Sequence, residues 1–388
     1  MNILHLHWGF PPIIGGVETH LATMLPVMVQ YKHKVSLITG SVEGTKGSYL
    51  YKGAKIYRTP IMDLNWLFKR GFEGLEPEIK AIFEKVIDRE KPDIVNAHNM
   101  HYFSKMHITL LRSITKKKGI PLVLSAHNVW DDMLFLDLIG NIDWDHIIAV
   151  SHFIKRELFA VSCPDKKVTV IHHGVDMKKY NPHVSTKSTL KKYPILKNRR
   201  IIFHPARMGL AKGCDISIKA INLIKNKYKD ILLVLAGTKN IIDWGATQQK
   251  DIAYMIGLSK AMNLENNLLI DAFNMDEVAS LYVLSSVCLY PSSAPEPFGL
   301  TMLEALSTGR PMIVTNSGGM PEIIQEGING YVIPIKDTET LAMRIIQLLD
   351  NDSLRQRLGD TGLQIVKSHY TKEIMTSNYI KVYNKILH

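Results

Sequence analysis

The 388-residue chain holds only three cysteines, Cys163, Cys214 and Cys288, and none of them forms a CxxC pair. That scarcity argues against a disulfide framework and against cysteine-ligated zinc, and it fits a reducing compartment. No stretch approaches the roughly 20 consecutive apolar residues a membrane-spanning helix requires. There is no GxGxxG, which disfavours a nicotinamide dinucleotide, and no HExxH or similar ligand spacing, so no metal and no cofactor is expected. Basic residues are not gathered into a tail. The net charge of +11 divides into +5 over residues 1–185 (23 Lys and Arg against 18 Asp and Glu) and +6 over the remainder (24 against 18). A diffuse positive surface suits phosphate-bearing ligands or an anionic membrane face but is more commonly carried for solubility alone, and no nucleic-acid partner is expected from it. The opening MNILHLHWGF lacks a positive region ahead of an apolar run and a small-residue cleavage site, so it reads as a first strand. A cytoplasmic location is expected, with peripheral contact at the inner membrane face left open.

What is present is an ordinary globular balance, 46% hydrophobic and 21% charged, in a chain long enough for two cores. Short β-branched runs (NILHLHW, KVSLITG, DIVNAH, PLVLSAH, HIIAVS, VTVIHHG) alternate with amphipathic segments, the pattern of a doubly wound parallel sheet. A polar, proline-punctuated stretch from Met177 to Arg200 follows, and then a second series: RIIFHP, ILLVLAG, NLLIDAF, VCLYPS, PMIVTN and GYVIP. The fold class expected is therefore α/β, with two Rossmann-like domains facing a cleft, spanning residues 1–182 and 183–370. A last helix at 371–388 is placed to cross back onto the first domain. In such sheets the loops at the strand carboxyl ends line the ligand crevice.

The most informative of those loops lies in PSSAPEPFGLTMLEALSTGRPMIVTNSGGMPEIIQEGINGYVIP, residues 291–334. A strand ends, Glu296 sits in a proline-rich loop, Phe298 and Gly299 open a helix, and Glu304 lies about one turn into it. Free N–H groups at Phe298, Gly299 and Leu300 favour an anion such as a diphosphate at the helix start, with Thr301 beside it. A carboxylate accepts two hydrogen bonds side by side and so matches vicinal sugar hydroxyls. Glu296 and Glu304 flanking an anion site would hold the two ends of a nucleotide sugar, whereas either glutamate alone reads more readily as a surface charge or a helix-dipole partner.

The run from Glu296 to Glu304, with GGMPEII and NGYVIP after it, resembles the E-x7-E signature of the retaining family 4 glycosyltransferases, and the similarity extends over essentially the whole chain. The resemblance implies the GT-B fold, a nucleotide diphosphate sugar as donor and no metal. It places Glu296 on the transferred sugar and Glu304 on the ribose. HPARMGLAKGCD is similar to the segment whose Arg and Lys bind the donor diphosphate, here Arg207 and Lys212, although Ala206-Arg207-Met208 replaces the usual Gly-Arg-Leu. Gly15-Gly16 with Glu18 resembles a loop that closes on the donor phosphates, Glu18 lying toward the acceptor. His127 in LVLSAHN matches a histidine at the sugar and reaction centre, and His98 a second cleft position that is equally well a structural histidine. Base recognition is implied to run mostly through backbone near Ala272, Phe273 and Asn274. His173 stands where asparagine is common in the family, which puts a donor contact there in question.

Two further segments invite functional readings. Asp143-Trp144-Asp145 has the form of a metal-binding DxD but falls on the approach to a strand and reads better as a polar turn. Trp66, Leu67, Phe68 and Phe72, beside Lys69 and Arg70, suit a hydrophobic acceptor or a membrane surface, and core packing is the commoner outcome. The expected activity is a metal-independent retaining glycosyltransferase. A sugar-nucleotide epimerase and a non-catalytic nucleotide-sugar-binding protein remain as alternatives, and neither donor base and sugar nor acceptor is encoded legibly.

Overall fold

The computed structural model describes the chain except for residues 46, 129–137, 161–166, 207–208 and 238–244, and gives only the backbone of 245–248. It comprises two compact units, Met1–Gly174 with Lys372–His388, and Val175–Thr371. The domain boundary expected at 182 thus lies inside the second unit, and the final helix, Lys372–Leu387, belongs to the first.

The first unit carries β1 (Asn2–Leu6), β2 (Lys34–Gly40), β3 (Ser48–Tyr51), β4 (Ala54–Thr59), β5 (Ile94–His98), β6 (Leu122–Ala126), β7 (His146–Ala149) and β8 (Val168–Val170) in the order β3-β4-β2-β1-β5-β6-β7-β8. Neighbours are parallel except the β3–β4 pair, and Ile3 of β1 lies between Val35 and Ile94. Every residue of β5 and β6 is buried, which is why these strands read as unbroken apolar runs: helices cover both faces of a parallel sheet. Leu21, Met24, Leu25 and Met28 of the helix Gly16–Gln30 join Ile3, Val35, Leu37 and Ile56, and the terminal helix adds Met375, Tyr379 and Tyr383. Two polar residues in mid-sheet help hold that helix. Ser125 Oγ donates to Asn96 Oδ1 at 3.0 Å, and Asn96 Nδ2 donates to the Tyr383 hydroxyl at 2.5 Å, so buried polar groups are satisfied by the helix that covers them.

The second unit has β9 (Arg200–His204), β10 (Ile231–Gly237), β11 (Leu268–Ala272), β12 (Ser285–Tyr290), β13 (Met312–Thr315) and β14 (Gly330–Ile333), ordered β11-β10-β9-β12-β13-β14 and wholly parallel. Ile202, Leu233, Leu235, Val287, Leu289 and Ile313 form its core with the helices Cys214–Ile224 and Thr338–Asp350. In each sheet the winding reverses beside the first strand, between β1 and β5 and between β9 and β12, and ligand crevices of open α/β sheets form at the carboxyl ends of such a reversal.

Two segments set aside in the sequence are now placed. Asp143 and Asp145 both accept from Arg112, at 2.9 and 2.7 Å, and Trp144 is buried, so the DxD carboxylates serve an internal ion pair. The aromatic segment forms a short helix, Leu64–Arg70, capped by Asp63. Core packing holds for Leu67, 1% exposed, but not for Phe68, 79% exposed: adjacent positions lie about 100° apart around a helix, and this one offers only a narrow face to the core. Among the described residues no helix is long and apolar enough to cross a membrane.

Candidate functional site

At the reversal point of the second sheet, β12 ends in Tyr290 and the turn Leu210–Lys212 follows β9. Lys212 Nζ donates to Glu296 Oε2 at 2.6 Å, the Tyr290 hydroxyl donates to the same oxygen at 3.0 Å, and Lys212 lies 5.6 Å from the centre of the Tyr290 ring. Burial works against the Lys212 charge, but the Tyr290 and Glu296 groups outweigh it and hold the ammonium above the usual lysine range. Burial likewise raises the Tyr290 hydroxyl. Backbone packing fixes the group. A side chain at Gly213, φ +75°, would meet Pro291 O at 1.9 Å, and Ser292 Oγ donates to Ala211 O at 2.9 Å, so the Lys212 turn is seated on the loop that carries Glu296. On that loop's other side Gly319 N–H donates to Glu296 O at 2.7 Å, and a side chain at Gly318, φ +61°, would meet the same oxygen at 2.2 Å. Gly318 is thus explained by close backbone approach.

Helix Leu300–Ser307 starts at Gly299, φ +90°, with no side-chain cap on its first N–H groups. Thr301 Oγ1 beside them is buried and lacks a partner among the described residues. Phe298 is 2% exposed, so its ring serves the core and only its backbone can face a ligand. Glu304 is buried and accepts from the Tyr282 hydroxyl at 2.8 Å, and burial raises its carboxyl above the ordinary range. At the end of β11, Phe273 is buried against Tyr193 and the Asn274 side chain caps the helix Met275–Leu284, accepting from Asp276 and Glu277 N–H. The N–H groups of Ala272, Phe273 and Asn274 donate to Asp271, Gly237 and Glu277. Arg207 lies outside the described residues.

The reversal point of the first sheet is occupied by histidines. His5 and His7 come from β1 and its end, His98 closes β5, His127 follows β6, His173 follows β8, and His20 rises from the helix Gly16–Gln30. All six are buried. His127 Nε2 meets His98 Nδ1 at 2.9 Å and its Nδ1 meets His173 Nε2 at 3.5 Å, so both nitrogens of the expected sugar-side histidine face other imidazoles. His7 Nδ1 lies 3.1 Å from His98 O and therefore donates, and its Nε2 faces Glu18 Oε1 at 3.1 Å. Gly15 leaves room for Glu18, since a side chain there would meet Glu18 Oε2 at 2.2 Å, whereas nothing lies within 4 Å of one at Gly16. One nitrogen each of His20, His98 and His127 lies within 4.8 Å of the others, a span a metal ion could bridge.

His5, His7, His20 and Tyr290 were not singled out in the sequence. The histidines come from separate strands and one helix, so no linear spacing connects them. The HxH alternation of His5 and His7, which puts both on one face of β1, was the one local signal.

Comparison with known proteins agrees with both halves. A model described as Glycosyltransferase Family 4 matches residues 14–179, and one described as Glycosyl transferases group 1 matches 185–364. An uncharacterized glycosyltransferase of Methanocaldococcus jannaschii is 24% identical over 99% of this chain and 98% of its own. The N-acetyl-alpha-D-glucosaminyl L-malate synthase of Bacillus anthracis is 28% identical over 63% of this chain and 60% of its own. Among solved structures, Anabaena HepE in complex with UDP and glucose superposes with a TM-score of 0.78 at 18% identity, over 99% of both chains. Fold and comparisons define a glycosyltransferase of the GT-B fold. The two matches together support a glycosyltransferase of the family 4 type, the family 4 model on the first part of the chain and the group 1 model on the second.

Proposed function

We propose that the protein transfers a sugar from a nucleoside diphosphate donor to an acceptor with retention of configuration and without a metal, the donor bound by the second unit. The observation that carries this is the Lys212–Glu296–Tyr290 group at the sheet reversal, beside an uncapped helix start and the orphan Thr301 hydroxyl. A leaving diphosphate gains charge as the sugar carbon–oxygen bond breaks. Lys212, Arg207 and the N–H groups at Gly299 and Leu300 meet that charge, and donors fixed in advance need no reorganisation as it develops. Without donor, Glu296 balances Lys212; an arriving diphosphate takes over the ammonium and frees the carboxylate for sugar hydroxyls. Glu304 takes the ribose and backbone near Ala272, Phe273 and Asn274 the base; the family resemblance assigns His127 to the sugar, Gly15 and Gly16 to the phosphates, and Glu18 and His98 to the acceptor side. The acceptor attacks from the face the diphosphate leaves, and the leaving phosphate takes its proton. Support comes also from the complex of Anabaena HepE with UDP and glucose and from the similarity to the N-acetyl-alpha-D-glucosaminyl L-malate synthase of Bacillus anthracis. A cytoplasmic location, with Phe68, Lys69 and Arg70 touching an anionic membrane face, belongs to the same proposal.

The test is turnover of a panel of nucleoside diphosphate sugars in the presence of a chelator, with the product's anomeric configuration read by NMR. Nucleoside diphosphate release with the donor's anomeric configuration kept is expected. Inversion, or dependence on a divalent cation, would overturn the mechanism, and isomerised donor formed without any acceptor would make the protein an epimerase.

A further inference from the structure

Five of the buried histidines are joined end to end. His5 Nδ1 meets His98 Nε2 at 2.9 Å, His98 Nδ1 meets His127 Nε2 at 2.9 Å, His127 Nδ1 meets His173 Nε2 at 3.5 Å, and His173 Nδ1 meets His20 Nδ1 at 2.9 Å. Each inner ring spends one nitrogen on each neighbour, and the outer nitrogens, His5 Nε2 and His20 Nε2, are buried without a partner among the described residues. Burial, the leading cause, lowers His5 and His173 to about 3 and holds His20, His98 and His127 well below the ordinary histidine range, so the rings are neutral near neutral pH.

A neutral imidazole has one donor and one acceptor nitrogen. Five such rings bring five ring hydrogens to four contacts, and one hydrogen is left for an outer nitrogen. If it sits on His5 Nε2, every contact is donated toward His5; if on His20 Nε2, every contact is donated toward His20. No mixed arrangement satisfies all four. A metal on His20, His98 and His127 is the competing use of the cluster. With Nε2 of His20 and His127 on the metal, their Nδ1 hydrogens would both point at His173, whose single lone pair can accept only one of them. The contacts observed therefore suit a continuous array better than a three-histidine metal site.

We propose that His5, His98, His127, His173 and His20 act as one hydrogen-bonded array in which the tautomer of His127 is set from the two ends. In it His5, His98, His173 and His20 are positioning residues that decide whether His127 donates or accepts toward a bound sugar at its long contact to His173. The two arrangements differ in which outer nitrogen carries a hydrogen, and the array is neutral in both. The groups around it are the His7–Glu18 pair, Tyr379, whose ring lies 5.5 Å from His20, and His172 beside His173. The role of His127 at the sugar rests on the function proposed above, but the array itself does not.

The experiment is 15N NMR of histidine-labelled full-length protein without ligands, comparing wild type with His5→Phe and, should that variant misfold, His20→Phe from the other end. The array predicts that His5→Phe changes the Nδ1 to Nε2 shift difference of His127, two contacts away, with His98 and His173 moving in the same sense and His107, buried outside the array, unmoved. Signals that change at His98 alone would overturn it. So would stoichiometric zinc binding by wild type that is lost in His20→Phe. In turnover assays His5→Phe should lower kcat on the order of tenfold, as loss of a group that orients a ligand-contacting histidine does, with nucleoside diphosphate affinity unchanged. Loss of the NMR coupling would reject the array and leave the transferase reading intact; absence of wild-type turnover would do the reverse.

Discussion

Lys212 and Glu296 should be worth opposite things to stability and to activity, and a double-mutant cycle separates the two. In Lys212→Met the Glu296 carboxylate keeps, among the described residues, only the Tyr290 hydroxyl. A fully buried pair broken in this way costs about 3–5 kcal/mol, and the residual side-chain exposure of 22% and 15% reduces the expectation to about 2 kcal/mol. Glu296→Gln, which strands the ammonium, should cost a similar amount. With both changes no unpaired charge remains, so the double variant should regain part of the loss, a coupling of about 1–2 kcal/mol. Activity should show no such recovery: Lys212→Met removes charge-developing stabilisation worth about 100-fold in kcat or more, and the double variant should be at least as impaired. Urea unfolding followed on the second unit's tyrosines, with turnover measured on the same samples, reads both. Additive stability losses would refute the ion pair as drawn, and a Lys212→Met enzyme within tenfold of wild type would refute the phosphate role.

Glu304→Gln tests a linkage: because burial raises the folded-state carboxyl above its unfolded value, the folded state holds the proton more tightly, and wild-type stability should rise as pH falls toward 4.5. The melting-temperature difference, variant minus wild type, should therefore be more positive at pH 7 than at pH 4.5, and a pH-independent difference would contradict it. The neutral histidines act in the other direction. With folded values near 3 for His5 and His173 against 6.5 unfolded, stability is present above 6.5 and lost on acidification, by up to about 1.4 kcal/mol per pH unit per ring; a flat stability profile between pH 6.5 and 4.5 would speak against a buried neutral cluster. Gly15→Ala should destabilise the first unit because its Cβ meets the Glu18 carboxylate at 2.2 Å, whereas Gly16→Ala, with nothing within 4 Å, should fold normally and lose donor affinity if the phosphates approach there. Equal thermal stability of the two variants would contradict the cradle around Glu18.

The strand runs and the interleaved helices were legible because a parallel sheet covered on both faces demands unbroken apolar segments, and β5, β6 and β10 supply them. The loop from Glu296 into Gly299 was legible for a local reason too, since a helix start and its glycines are written in consecutive residues. What distant strands bring together was not. Tyr290 reads as a strand aromatic until its hydroxyl is seen on Glu296, and six histidines drawn from four strands and a helix share no spacing beyond the His5-x-His7 alternation. Gly15 was legible as a glycine that something must approach, but not that the approaching group is Glu18 three residues on. Phe68 went astray because aromatic content alone does not say which side of a short helix meets the core.

The central claim is that fixed cations and a helix end, not a bound metal, receive the donor's diphosphate in the second unit. Calorimetric titration of wild type and Lys212→Met with UDP, GDP and ADP in excess chelator measures it directly. One diphosphate is predicted to bind wild type with the chelator present and to lose at least about tenfold in affinity, roughly 1.4 kcal/mol, in Lys212→Met. Binding that appears only when a divalent cation is supplied, or equal affinity in the two proteins, would contradict it.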